Sequence, residues 1–175
     1  MSVMTGSVGR RSRADVIAQQ PPGYVAQHQL LDQIPALKHD IIVPDYCCAY
    51  DNDKALTEDD VDINAWFGPA HTVSPLHQDP RDNMFVQIFG SKRFQLVDPI
   101  HTAAVYPHTD GIMTNTSQVD VESPDLTQFP NFTSARVHHV NVQAGDMLYI
   151  PRKWWHHVRS LTPSFSLSYW FGNEC

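Results

Sequence analysis

Thirteen prolines are scattered through the 175 residues of this chain. Each removes a backbone donor and fixes φ, so long uninterrupted helices have little room to form. Helical bundles and coiled coils are therefore excluded. Between the prolines lie short apolar runs of strand length at 63–67, 84–89, 93–97, 137–142 and 147–150, bounded by turn residues. Gly90 and Ser91 read as the tight turn of a hairpin joining 84–89 to 93–97, and 143–146 as the connection of a second pair, 137–142 with 147–150. Residues 164–171 alternate with period two, placing Phe165, Leu167, Tyr169 and Phe171 on one face of a half-buried strand. Many short strands with one long insertion predict an antiparallel barrel or double-sheet jelly roll, mainly β, with a few short helices. One such helix is expected within 26–34, before Pro35, and another after an N-cap at Ser123 followed by Pro124.

With 42% hydrophobic residues the chain can bury a core, and its size suits one domain hiding roughly 70% of the surface of the unfolded chain. Residues 1–22 read as a polar, poorly ordered leader, 23–175 as the domain, and 51–62 as an acidic, solvated connection. A net charge of −7 argues against direct grip on nucleic acid. No run reaches the ~18 apolar residues of a membrane span, so no membrane role is expected. Cys47 and Cys48 are adjacent and Cys175 is terminal, which makes no disulfide framework and favours a reducing, intracellular setting. Arg10, Arg11 and Arg13 leave nucleus and cytoplasm both open.

Ten histidines stand beside only three glutamates, which directs attention to metal binding. His-x-Asp occurs twice, at His77 and Asp79 and at His108 and Asp110, where chance alone supplies about one copy. The second copy sits in a turn-like stretch. The first precedes Pro80, which biases Asp79 toward extended backbone, so His77 and Asp79 project to the same side. His156, after the apolar run 147–150 and the stop at Pro151, is the best third ligand. Two His and one Asp on one side of an ion leave open positions, the arrangement of non-haem Fe(II) oxygenases. The residues alone also allow His156 to be a core histidine among tryptophans and His77 a surface one. Lys92 reads by position as a hairpin-surface lysine, its alternative being a buried cation for a carboxylate.

The segments Trp66 to Pro69 and Ser74 to Pro80, with Asn83, Lys92, Asn115 to Asp120, Trp155 and His156, resemble the Jumonji-C family of Fe(II)- and 2-oxoglutarate-dependent oxygenases. The likeness extends to Gly23 through Gln29 and to Ile34 and Pro35, covering roughly 23–171. It implies a cupin-like double-stranded β-helix in which His77, Asp79 and His156 bind Fe(II). It further implies that Lys92, Tyr24 and Ser74 hold one carboxylate of 2-oxoglutarate, that Asn83 reaches the other, and that Trp66 and Trp170 border the substrate pocket. Molecular oxygen would be the oxidant and a protein or peptide the substrate, hydroxylated on arginine or demethylated on histone lysine. Domains of this family usually contain further strands upstream, so an N-terminally incomplete domain is expected, and a non-catalytic peptide-binding module is the alternative of another class. A zinc hydrolase fits less well, because no general-base Glu accompanies the ligands. No His-Glu-x-x-His pattern supports a peptidase.

Overall fold

A computed structural model describes residues 23–48 and 56–172. The leader 1–22 and part of the acidic connection, 51–55, lie outside the described residues. Two antiparallel sheets face each other. The first runs in the order β1 (Val25–His28), β2 (Asp62–Gly68), β9 (Ser164–Phe171), β4 (Asp82–Phe89), β7 (Met147–Ile150). The second runs β3 (Val73–Gln78), β8 (Trp155–Ser160), β5 (Ser91–Val97), β6 (Val137–Gln143). This is the double-sheet jelly roll that the spacing of the strands predicts.

Both expected hairpins are corrected. β4 pairs with β7 and β9, whereas β5 pairs with β6 and β8, so Gly90 carries the chain from one sheet to the other. Gly90 has φ +77°, and a Cβ there would lie 2.1 Å from the Pro163 carbonyl oxygen. The corner is packed against a neighbouring turn instead of closing a two-stranded ribbon. Similarly, β6 and β7 belong to different sheets, and their connection is held by Asp146 Oδ2 accepting from the Gln143 N–H at 2.9 Å. A turn signal identifies where strands end, but the sheet each strand joins depends on which remote backbone edge is available.

The predicted helices also shrink. Residues 25–28 add to the edge of β2 as β1, leaving only α1 (Leu30–Gln33) helical in that segment. After Ser123 there is a single turn in which Asp125 Oδ1 accepts from the Thr127 and Gln128 N–H groups. A longer helix does not form, and Phe129 and Phe132 instead pack with Val105 and Trp155.

Three apolar clusters divide the burial. Phe85 and Ile150 of the first sheet meet Phe94, Leu96 and Val142 of the second, filling part of the space between them. Leu76, Val97 and Trp155 face outward from the second sheet beneath Val105, Val119, Val121, Phe129 and Phe132 of the long insertion. Leu167, Tyr169 and Phe171 of β9 face outward from the first sheet beneath Leu31, Cys47, Leu56 and Val61. The alternation of β9 is therefore real, but the strand is buried on both faces: Ser164, Ser166 and Ser168, opposite the apolar set, are also buried. Small hydroxyl residues make the interior polar at that wall.

Gly90→Ala should destabilise the fold by about 1–3 kcal/mol, because it adds left-handed strain to a steric conflict with Pro163. Thermal unfolding followed by circular dichroism measures it, and an unchanged melting midpoint would contradict the packed-corner description.

Candidate metal and co-substrate site

β3 and β8 pair antiparallel with His77 directly opposite His156, and Asp79 follows β3 immediately. The register changes between Ser74 and His77, an irregularity that re-aims the end of the strand. One ligand-type atom from each of His77, Asp79 and His156 lies within 4.8 Å of the others. Asp79 Oδ2 stands 3.4 Å from His156 Nε2 and Asp79 Oδ1 3.9 Å from His77 Nε2. The two rings are 4.1 Å apart between centroids.

Their far nitrogens are already engaged. His77 Nδ1 lies 2.7 Å from the Pro75 carbonyl oxygen, and His156 Nδ1 lies 3.0 Å from that of Trp154. A carbonyl can only accept, so each Nδ1 carries a proton and each Nε2 is the ring atom left facing Asp79; His156 Nε2–H donates to Asp79, and loss of that proton would free a lone pair for an ion. Burial, reinforced by the charge of His156, pushes the His77 pKa down to about 4. Burial opposes charge on His156 and Asp79 as well, yet their hydrogen bond and mutual attraction outweigh it, raising His156 and lowering Asp79. Among the described residues, this is the group of three His, Cys, Asp or Glu side chains placed to share an ion. The other His-x-Asp copy is not part of it.

Lys92 is 3% exposed and points between the sheets, so its reading as a hairpin-surface lysine is corrected. The register that pairs β5 with the hidden face of β8 decides this: Lys92 lies opposite Ser160 and Leu96 opposite His156. Four residues of strand separate these positions, a rise of roughly 13 Å. Lys92 Nζ donates to Ser166 Oγ at 2.9 Å and lies 5.3 Å from the Phe85 ring centroid and 5.9 Å from that of Trp66. Among the described residues no carboxylate forms an ion pair with it, and burial pulls its pKa down to about 8.

The remaining sequence-predicted residues line the same interior. The Tyr24 hydroxyl hydrogen-bonds with Ser74 and Thr72, and its ring occupies the space left at Gly68, where a Cβ would approach Tyr24 Cδ2 to 2.4 Å. Thr72 Oγ1 donates to Ser160 Oγ at 2.8 Å, carrying this row of hydroxyls to the strand position opposite Lys92. Asn83 and Trp170 face each other across β4 and β9. Asn83 Oδ1 and Trp170 Nε1 are buried without hydrogen-bond partners among the described residues. Trp66, by contrast, commits its indole N–H to Ser168 Oγ at 2.9 Å.

Three features escape a sequence reading. Asn115 and Thr116 of the insertion lie along β3: the Asn115 carbonyl accepts from the Gln78 N–H, and Thr116 bridges to His77. Asn64 of β2 is buried at 6% exposure and lines a polar cleft of about 450 Å³ with Gln27, His28, Gln29, Asp32 and Gln33. Asp82 and Arg152 join the two segments that flank the histidines. Asn115 and Thr116 belong to a segment that carries the resemblance, though with no role attached, whereas no local pattern distinguishes Asn64, Asp82 and Arg152 from ordinary polar surface positions.

The chemistry of this donor set fits the groups that the resemblance implies. Two imidazole lone pairs and a carboxylate on one side suit a divalent transition ion with open positions. A buried ammonium without a carboxylate, and an amide with an orphaned oxygen whose rotation would present N–H groups, suit the two ends of a dicarboxylate.

Residues 5–175 match the Cupin-like domain family. A protein named Lysine-specific demethylase 8 from Danio rerio is 52% identical over 149 residues, covering 85% of this chain and 36% of the relative. Its Xenopus tropicalis namesake is also 52% identical over 149 residues, covering 85% of the chain and 33% of the relative. Jumonji C domain-containing protein 5 of Drosophila melanogaster is 48% identical over 148 residues, covering 85% and 36%. The chain thus spans about a third of the length of these relatives.

Lys92→Met should stabilise the ligand-free protein at pH 7 by about 1–3 kcal/mol, since it replaces an uncompensated buried charge with an apolar group. The folded pKa of about 8 lies below the ordinary lysine value of 10.5, so the unfolded chain binds the proton more strongly between these values. The cost of the charge is therefore full below pH 8 and fades as pH rises toward 10.5. Urea unfolding of both proteins from pH 7 to 10 should show the advantage of the variant shrinking, and a constant or growing advantage would contradict this electrostatic account.

Proposed function

Since the chain belongs to the cupin-like family of JmjC domains, we propose that it is an Fe(II)- and 2-oxoglutarate-dependent oxygenase that hydroxylates a protein side chain, arginine foremost. The observation that supports it most is the presence, in one interior, of the His77, Asp79 and His156 set and a buried ammonium, Lys92, that no described carboxylate neutralises. When bound, iron with 2-oxoglutarate and molecular oxygen supplies an oxidant that converts a substrate C–H to C–OH, with succinate and carbon dioxide as co-products.

Each residue then has a defined task. His77 and His156 present Nε2 lone pairs fixed by the Pro75 and Trp154 carbonyls, and Asp79 contributes the negative charge. Lys92 holds the far carboxylate of the co-substrate, with the hydroxyl pair of Tyr24 and Ser74 as additional donors. Asn83 turns its amide toward the near carboxylate. Trp66 and Trp170 offer flat faces to a guanidinium or a methylated ammonium. Placement of one substrate carbon decides between a stable alcohol and, on an N-methyl group, loss of formaldehyde. The names of the relatives favour lysine demethylation as the second reading. An intracellular location, nuclear or cytoplasmic, belongs to either proposal.

Purified protein with Fe(II), ascorbate and 2-oxoglutarate should form succinate, and His156→Ala should abolish this together with metal binding. Mass spectrometry of arginine-containing and methyl-lysine-containing peptides separates a gained oxygen from a lost methyl group. Undiminished turnover in a His77→Ala/His156→Ala double variant would overturn the assignment. Affinity for 2-oxoglutarate should fall as pH rises through about 8, as Lys92 loses its proton, and this dependence should disappear in Lys92→Met. Calorimetric titration at several pH values reads both.

A further inference from the structure

Two crossovers between the sheets run side by side next to the histidines. Residues 79–81 lead from β3 to β4, and residues 151–154 lead from β7 to β8. The second crossover touches the candidate ligands twice. The Lys153 N–H donates to the Asp79 carbonyl oxygen at 2.9 Å, and the Trp154 carbonyl oxygen receives His156 Nδ1 at 3.0 Å. The shape of this one turn thus sets the backbone of one candidate ligand and the ring orientation of another. It is a costly shape, because Lys153 has φ +65°, a left-handed conformation unusual for a side chain of its size.

What holds the turn is Asp82. It is 7% exposed, and its carboxylate accepts three hydrogen bonds. Oδ1 receives the Tyr149 hydroxyl at 2.7 Å and the Arg152 backbone N–H at 3.1 Å, while Oδ2 receives Arg152 Nε at 3.0 Å. The donors thus come from the end of β7 and from the turn itself, and the acceptor from the first residue of β4. One carboxylate clips the two crossovers together. Charge-assisted bonds of this kind, buried and shared among several donors, are strong and directional.

We propose that Asp82, acting through Arg152, is a positioning residue for the metal centre: it fixes the 151–154 turn, which holds the Asp79 backbone and the His156 ring so that the Asp79 carboxylate and His156 Nε2 face one ion. This rests on the reading of His77, Asp79 and His156 as metal ligands. Asp82 itself points to the turn and not to the ion, so its loss weakens the site by loosening Asp79 and His156 together. Tyr149 has a lesser part, because it bonds to the same carboxylate without touching the turn.

Titration of apo protein with Co(II), followed by its visible absorption, tests the proposal without requiring activity. Wild type should give a protein-bound cobalt spectrum. Asp82→Asn, which keeps the size but removes the charge, should weaken Co(II) binding about 10- to 100-fold, the usual effect of losing a group that supports a ligand. Tyr149→Phe should weaken it less. Glu122→Gln is the control, since it removes an ion pair with Arg159 elsewhere on β8 and should lower the melting midpoint without weakening cobalt binding. Wild-type affinity and an unchanged spectrum in Asp82→Asn would overturn the positioning role, as would an equal loss of affinity in Glu122→Gln. If Asp82→Asn does not fold, Arg152→Lys decides: reduced affinity supports the clip and wild-type affinity overturns it. Failure of wild type to bind cobalt at all would overturn the metal reading, and the positioning role with it.

Discussion

A sandwich whose interior holds an ammonium and a group of histidines with a carboxylate cannot be secured by that interior alone. Lys92 is buried with one hydroxyl and two aromatic rings as its described neighbours, and such a charge costs stability unless something opposes it. The surrounding wall is chosen accordingly. Ser160, Ser164, Ser166 and Ser168 are all buried, and each gives up apolar volume for a hydroxyl. The resulting polar interior has to be stabilised from outside.

That support comes from the outer face of each sheet. The segments before β2 cover Leu167, Tyr169 and Phe171, and the long insertion covers Leu76, Val97 and Trp155. Each fully buried large apolar side chain contributes about 1.5–3 kcal/mol, so several on each side offset the strain and buried charge between the sheets. The insertion has a second task. Ser117 N–H donates to the Leu76 carbonyl and Asn115 accepts from Gln78, which pins the edge of β3 on either side of His77. The cover that stabilises the second sheet therefore also steadies the ligand strand.

How much of this can be read from the chain varies by residue. The period-two pattern at 164–171 announces a strand, and the extended bias before Pro80 announces that His77 and Asp79 share a side. Both are local effects of backbone geometry and survive folding unchanged. The hairpin readings around Gly90 and 143–146 fail because each turn leads into the opposite sheet, a choice made by Pro163 packing on Gly90 and by the pairing of β4 with β7 and β9 and of β5 with β6 and β8. Position after such a turn alone would also put Lys92 on the surface, whereas the family resemblance puts it inside, where it is buried. Asp82, Arg152 and Asn64 have no local signal, because Asp82 and Arg152 meet across 70 residues of sequence and Asn64 lines its cleft with residues more than 30 positions away.

The sequence by itself determined the class of the fold, through proline spacing and strand-length apolar runs, and it determined the kinds of atom available to a site: imidazole, carboxylate, ammonium and amide. The tertiary structure decided which of them meet. Side chains alternate along a strand, so the antiparallel register of β8 against β3 and β5 is what sets His156 opposite His77 and turns Lys92 inward to the same interior. A shift of one residue would turn either side chain to the other face, and nothing within the local sequence of β8 fixes that register.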